Sequence, residues 1–121
     1  MLEIREYQMD ALSGQQVEEF VIRMKKRLHQ YFDKEIVTLH LDQKGVDWLI
    51  RKGLADANRY RVVRFDDVEV YIEGMVVFSP NYDSNPNFDW AGKILRRNDI
   101  EGSEKMDLIN NYMLFSSGVD D

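Results

Sequence analysis

Cysteine is absent from this chain of 121 residues. A disulfide framework and a thiolate-bound metal are therefore excluded, and the absence is neutral to mildly favourable for a cytoplasmic location. The sequence also lacks an uninterrupted apolar run as long as a membrane span. Its first ten residues, MLEIREYQMD, are charged and contain no apolar segment typical of a signal peptide. We expect a cytoplasmic protein with no membrane partner.

An excess of positive charge is absent as well. Lysine and arginine total 16 against 22 acidic residues, so the net charge is −6. Nucleic-acid binding is disfavoured, because phosphate backbones attract clustered basic residues. Hydrophobic residues make up 44% of the chain, which is enough for a core, and the length is that of one domain. We expect residues 1–121 to form one domain, with residues 1–6 and 116–121 as frayed ends.

Two segments show the periodicity of amphipathic helices. In residues 17–32 apolar side chains recur at steps of three and four, which predicts a helix capped by Ser13. A second helix is predicted to begin after Asp42, a favourable N-cap, and to end near Tyr60. Within it, Gly53 and Ala57 are small enough to let another helix approach closely, and the alternative is that Gly53 only lowers the stability of the helix. Close packing is favoured because the apolar stripe continues on both sides of the glycine. The stripe of the first helix consists of Val17, Phe20, Val21, Met24, Leu28, Tyr31 and Phe32.

The segment RVVRFDDVEVYIEGMVVF, residues 61–78, is ambiguous. Its β-branched and aromatic residues favour a strand, and three of them alternate: Val68, Val70 and Ile72. Apolar residues in the same segment also fit helical spacing, and Asp66 could supply an N-cap. The residues alone leave both structures open.

Two shorter helices are predicted near the C-terminus. One begins with Asp89 as its N-cap, and the other is capped by Ser103. Five or six helices joined by short connections make an all-α bundle in a single domain the predicted fold class.

The segment FSPNYDSNPNFDWAGKIL, residues 78–95, begins like a calcium-binding loop. Asp83 and two asparagines occupy positions 1, 3 and 5 of an EF-hand pattern. Position 6 is Phe88 where the pattern needs glycine, and position 12 is Ile94 where it needs a bidentate glutamate. The segment is therefore predicted to be a structural turn that holds no metal.

As a structural turn, the segment needs its polar residues for local hydrogen bonds. Pro86 stiffens its middle, and Asp89 caps the next helix. The aromatic residues Tyr82, Phe88 and Trp90 are predicted to insert into the core. Together with Asp83, these residues order the helices on either side.

No residue pattern indicates catalysis. The two histidines, His29 and His40, lie in no metal-binding motif, and the serines lack the G-x-S-x-G context of a hydrolase. The glycines form no phosphate-binding loop. We predict a protein that is not an enzyme, with no catalytic, cofactor-binding or metal-binding residues.

One dense basic cluster, RMKKRLH, covers residues 23–29. On a helix Arg23, Lys26 and Arg27 share the face opposite the apolar stripe. The cluster is either a solvated helix face or the rim of a docking patch for an acidic partner protein. Other basic residues could extend such a patch: Arg51, Lys52, Arg59, Arg61 and Arg64.

Five short motifs occur in order across about residues 7–115. They are F-x-x-R-M-x-x-x-L from Phe20, I-x-x-G-x-x-x-A-x-x-Y from Ile50 and D-V-x-x-Y-I-x-x-M from Asp67. The last two are D-x-x-P-x-x-x-W-A-x-x-I-L from Asp83 and K-M at Lys105. With these motifs the chain resembles small accessory proteins encoded beside effectors of bacterial type VI secretion systems, near PAAR-containing spike-tip proteins and their adaptor-chaperones.

The resemblance implies a fold more than a chemistry. The motif residues are mostly apolar or turn-forming, so they imply no catalytic residue, and they favour a helix for residues 68–78. The chain departs from the pattern twice, with Asp33 where proline is frequent and Arg61 where glycine is frequent. Both departures lie at predicted helix ends and concern the shape of loops.

The resemblance implies a non-enzymatic adaptor or co-chaperone. Such a protein would bind a type VI effector, or that effector's adaptor-chaperone, in the cytoplasm and support its loading onto the spike. The alternative is an immunity protein that binds and neutralises a cognate toxin domain, because an acidic surface suits a basic nuclease cleft. A small enzyme that uses residues 83–89 is a third reading.

Overall fold

The computed structural model describes residues 14–118, and the fold and contacts below concern these residues alone. They form helices and no strand, so the predicted all-α class is confirmed. The predicted cap Ser13 and the ends 1–6 and 119–121 lie outside the described residues. A 3-10 turn, Pro86–Phe88, precedes the fifth of six α-helices. These are α1 Gly14–Tyr31, α2 Asp33–Thr38, α3 Gln43–Arg59, α4 Phe65–Val77, α5 Asp89–Leu95 and α6 Gly102–Gly118.

The ambiguous segment 61–78 forms helix α4. Arg64 is its N-cap and makes no side-chain capping bond, so the predicted cap at Asp66 is wrong. Asp66 lies instead in the first turn, where its negative charge interacts favourably with the helix dipole. Helix α4 packs against α2, α3 and α6, so it is apolar around much of its circumference. This burial on several sides explains why its sequence lacks a clear amphipathic period.

The predicted starts of helices α3, α5 and α6 agree with the structure to different degrees. Asp42 caps α3 as predicted, since its Oδ1 accepts a hydrogen bond from the Gly45 N–H at 2.8 Å. Asp89 is the first residue of α5 and not its cap, and its carboxylate pairs with Lys93 at 3.1 Å. Helix α6 begins at Gly102, so Ser103 lies inside its first turn and the predicted cap at Ser103 is wrong. The helix extends to Gly118 and includes part of the end predicted to be frayed.

Helix α2 was not predicted from the sequence. It has six residues, Asp33–Thr38, which is too short to show a periodic pattern. It buries Ile36 in the core and begins where α1 ends. Tyr31, assigned to the buried stripe of α1 by its spacing, is 61% exposed, so that assignment is wrong.

The predicted close approach at Gly53 is confirmed. A Cβ atom placed there would lie 2.5 Å from Ile72 Cγ1 and 3.0 Å from Met75 Sδ, both on α4. Helices α3 and α4 can therefore pack this closely only because residue 53 has no side chain.

The turn after α3 fits closely against the start of α6. Arg61 has φ 64°, the left-handed conformation that glycine adopts without strain. A Cβ atom on Gly102 would lie 2.4 Å from the Arg61 carbonyl oxygen. The turn and the first residue of α6 are therefore in direct backbone contact.

Lys105 connects three helices from a buried position. Its residue is only 4% exposed, and its Nζ donates hydrogen bonds to the Leu95 carbonyl at 2.8 Å and the Tyr60 carbonyl at 3.0 Å. Leu95 ends α5 and Tyr60 is the C-cap of α3. Burial, with a smaller contribution from the Arg61 charge, lowers the pKa of Lys105. One ammonium group thus binds the carboxyl ends of two helices, where a cation is favoured.

Within residues 14–118 no helix has the length and apolar character required to cross a membrane.

We expect Gly53→Ala to lower the free energy of unfolding. The added methyl group overpacks the α3–α4 contact, at a cost of about 1–3 kcal/mol that exceeds the gain of about 1 kcal/mol in helix propensity. Gly14→Ala is the matched control, because a Cβ atom there meets nothing within 4 Å. Urea unfolding followed by circular dichroism measures both. Equal stabilisation by the two changes would contradict the close contact.

We expect Lys105→Met to lower the free energy of unfolding by about 1–3 kcal/mol, because two buried carbonyls lose their donor. Lys93→Met is the control, since its side chain is 75% exposed and its ion pair with Asp89 lies at the surface. We expect the control to change stability by no more than about 0.5 kcal/mol. Similar losses for both variants would show that the buried hydrogen bonds of Lys105 contribute little.

Candidate functional site

The segment 78–95 is anchored by a buried tyrosine. The Tyr82 hydroxyl donates a hydrogen bond to the Tyr71 carbonyl at 3.2 Å. Its ring lies 5.2 Å from that of Tyr71 and 5.7 Å from that of Phe78, measured between centroids. Complete burial raises the pKa of Tyr82 well above its ordinary value. The ring therefore fixes the segment against α4.

Asp83 is buried beside Tyr82 with its own partners. Its residue is 4% exposed, and its Oδ2 accepts hydrogen bonds from the Tyr60 hydroxyl at 2.8 Å and from Arg59 Nη2 at 3.1 Å. Its carbonyl oxygen accepts a hydrogen bond from Arg96 Nη1 at 3.2 Å. A buried carboxylate with a counterion and a hydroxyl donor is satisfied within the fold. Asp83 therefore links the C-terminal end of α3 to the segment 78–95 by hydrogen bonds.

The rest of the segment forms local turns. The Asn85 side chain accepts a hydrogen bond from the Asn87 N–H at 2.9 Å, which caps the 3-10 turn that begins at Pro86. Trp90 is half-buried and its ring stacks on Tyr112 of α6 at 3.8 Å between centroids. Among residues 14–118 no group of three or more histidine or acidic side chains is placed to hold a metal ion.

The predicted basic rim is largely neutralised by α4. Arg23 pairs with Glu69 at 3.7 Å, and Arg27 forms a short ion pair with Glu73. Lys26 remains exposed. The two arginines therefore join α1 to α4. The further basic residues considered from the sequence include several with acidic partners: Arg51 with Glu18 and Asp47, Lys52 with Asp56, Arg59 with Asp56 and Asp83, and Arg64 with Asp66.

Helix α6 presents apolar side chains on two separate sides. Met106, Ile109 and Met113 are buried in the core. A second set recurs at steps of four and three, which places it on one face of the helix, and it is exposed: Leu108, Tyr112 and Phe115. We call this set the outer stripe of α6.

An open groove of about 530 Å³ lies between the end of α1, α2, α4 and α6. Tyr31 and Leu114 line it and are 61% and 62% exposed. More deeply buried apolar residues, Phe32, Val77 and Met113, also contribute to it. We call this the α1–α6 groove.

The α1–α6 groove also has acidic residues in its lining. Glu73 of α4 is buried, and this burial outweighs the attraction of Arg27 and raises the pKa of Glu73. Glu35 of α2 is half-buried in the same lining. Its carboxylate makes no ion pair with any residue in the described range 14–118. The groove therefore combines exposed apolar surface with one uncompensated negative charge.

A second cavity of about 390 Å³ lies at the start of α6 and is mainly polar. There the Ser103 hydroxyl donates a hydrogen bond to Asp67 Oδ2 at 2.6 Å, and burial raises the pKa of Asp67. Arg64 Nε is buried with no hydrogen-bond partner in the described part of the chain. Acidic and basic side chains share this lining, so the Ser103–Asp67 contact is best understood as a link between α6 and α4.

Sequence reasoning missed the α1–α6 groove. Tyr31 was assigned to the core, and Leu114 and Glu35 were not singled out. One signal was available: the apolar residues of α6 occupy more of its circumference than a single buried stripe requires.

Comparison with protein-family models, with curated proteins and with solved structures finds no match to this chain.

We expect Glu73→Gln to become more stable relative to the unsubstituted protein as pH rises. The folded-state pKa of Glu73 lies above its ordinary value of 4.5, so the native state binds this proton more tightly than the unfolded state. Its ionisation therefore costs stability as the pH increases from 4.5 through the folded-state pKa. Urea unfolding across this range measures the difference. Glu19→Gln, an exposed substitution on α1, controls for charge, and a pH-independent difference for Glu73→Gln would contradict the burial argument.

Proposed function

We propose that this protein is a non-enzymatic binding factor that supports the loading of a type VI secretion effector, as an adaptor or co-chaperone. The observation that carries the proposal is the apolar surface that α6 exposes on two sides, in the α1–α6 groove and in the outer stripe. Exposed apolar patches with polar rims are typical of protein-binding sites. The partner is the effector or its adaptor-chaperone, bound in the cytoplasm before assembly of the spike.

The secretion context is supported by the motif resemblance. Several motif residues make the contacts that define this fold, among them Gly53 at the α3–α4 contact, Asp83 beside Tyr60, and Lys105 at the helix ends. Within such a framework the solvent-facing apolar side chains are free to differ between partners. The protein would shield an apolar segment of the effector until the spike receives it.

The alternative role is that of an immunity protein, and the net charge of −6 favours it. A basic nuclease cleft would be attracted to an acidic surface. The two roles differ in the part of the partner that is bound. An adaptor binds the transport region of an effector, whereas an immunity protein binds the toxin domain and stops its activity.

We expect affinity purification of the tagged protein from its own cytoplasm to recover a secretion effector or its adaptor-chaperone. Mass spectrometry identifies the partner, and truncations of the partner map the bound region. Phe115→Glu places a charge on the outer stripe at a side chain that is 73% exposed, and Glu19→Lys is an exposed control away from α6. Binding to the spike-attachment region supports loading. Binding to a toxin domain alone, with loss of its toxicity, would replace this role by immunity.

A further inference from the structure

We propose that the α1–α6 groove binds an apolar helical segment of the partner that carries a basic residue beside its apolar face. The inference rests on the proposed protein-binding role and adds the surface and the chemistry of the segment. Grooves between helices commonly bind amphipathic helices, whose anchor side chains recur at steps of three and four.

Among residues 14–118 the apolar part of the groove is open to solvent. Tyr31 and Leu114 line it from α1 and α6, and each exposes more than half of its side chain. Val77 of α4 lies in the same lining and is half-buried. Burial of such surface against a partner is favourable because it removes apolar area from water.

The charges around the groove select a basic partner. Arg27 pairs with Glu73 and also lies over the Tyr31 ring, 5.5 Å from its centroid. This arginine neutralises one of the two acidic residues in the lining, and Glu35 has no ion-pair partner in the part of the chain that the structure describes. A lysine or arginine of the partner would pair with Glu35 in a partly desolvated site, where an ion pair is stronger than at an open surface.

The same charges disfavour a second copy of this chain as the occupant. The protein has a net charge of −6, so a copy approaching Glu35 brings further negative charge. Two prominent basic residues of its helices, Arg27 and Arg51, are already paired with carboxylates of their own chain.

Two labelled peptides test the inference on the full chain. One is an amphipathic helical peptide of leucine and lysine, and the other is its leucine–glutamate counterpart. Fluorescence anisotropy measures binding of each peptide to the protein. We expect the lysine peptide to bind at least about tenfold more tightly than the glutamate peptide.

Substitutions in the groove then distinguish an ion pair between Glu35 and the peptide from attraction of the peptide to the net negative charge of the protein. We expect Glu35→Lys to weaken binding of the lysine peptide by about tenfold or more and to strengthen binding of the glutamate peptide. Glu35→Gln should give an intermediate affinity, and Leu114→Ala should weaken binding of the lysine peptide. Glu19→Lys makes the same change of charge on an exposed part of α1 and should alter either affinity less than about twofold. Circular dichroism and urea unfolding verify that each variant is folded.

Three results would overturn the inference. Equal effects of Glu35→Lys and Glu19→Lys would show attraction without a site. A dimer in sedimentation that Leu114→Ala dissociates would show that a second copy fills the groove. A gain in peptide affinity on removal of residues 1–13 would assign the groove to the chain's own N-terminal segment.

The groove and the proposed function fail in different ways. If the effector is recovered equally by the unsubstituted protein and by Glu35→Lys, the groove is not the binding site and the loading role stands. If the peptides show the charge preference but no effector or adaptor is recovered, the groove binds as inferred and the loading role is wrong.

Discussion

The fold depends on one buried cation, Lys105, which forms no ion pair with a carboxylate within the described residues 14–118. Lys105 of α6 donates hydrogen bonds to the carbonyl oxygens at the C-terminal ends of α3 and α5. A single side chain therefore satisfies acceptors of two helices and links both to a third. The carbonyl groups at a helix end carry partial negative charge and need donors. A lysine can meet this need at two ends at once because its ammonium group has three donors. This contact helps to fix the positions of α5 and α6 relative to the central pair α3–α4.

The central position of α4 explains both the core and the groove. This helix is surrounded by α2, α3 and α6, but α2 has only six residues. Such a short helix covers only part of the surface between α1, α4 and α6. The uncovered part is the α1–α6 groove, whose walls are made by helices that also pack into the core. The exposed apolar surface of this groove is therefore a consequence of helix length.

Local chemistry made part of this structure predictable from sequence. The N-cap at Asp42 and the small residue at Gly53 act within a helix or across one contact, and both were predicted correctly. The caps predicted at Asp66, Asp89 and Ser103 were wrong because the backbone enters each helix one or two residues earlier. The exposure of Tyr31 and the isolation of Glu35 depend on which helices are neighbours. Periodicity identifies an apolar face but cannot show whether another helix covers it.

The contact between Arg61 and Gly102 has an evolutionary consequence. A left-handed residue at position 61 brings its carbonyl oxygen within 2.4 Å of the place where a side chain at position 102 would begin. A larger residue at position 102 requires a different turn at position 61, and a different turn would move the start of α6. In related chains these two positions should therefore change together, although 41 residues separate them in the sequence (102 minus 61).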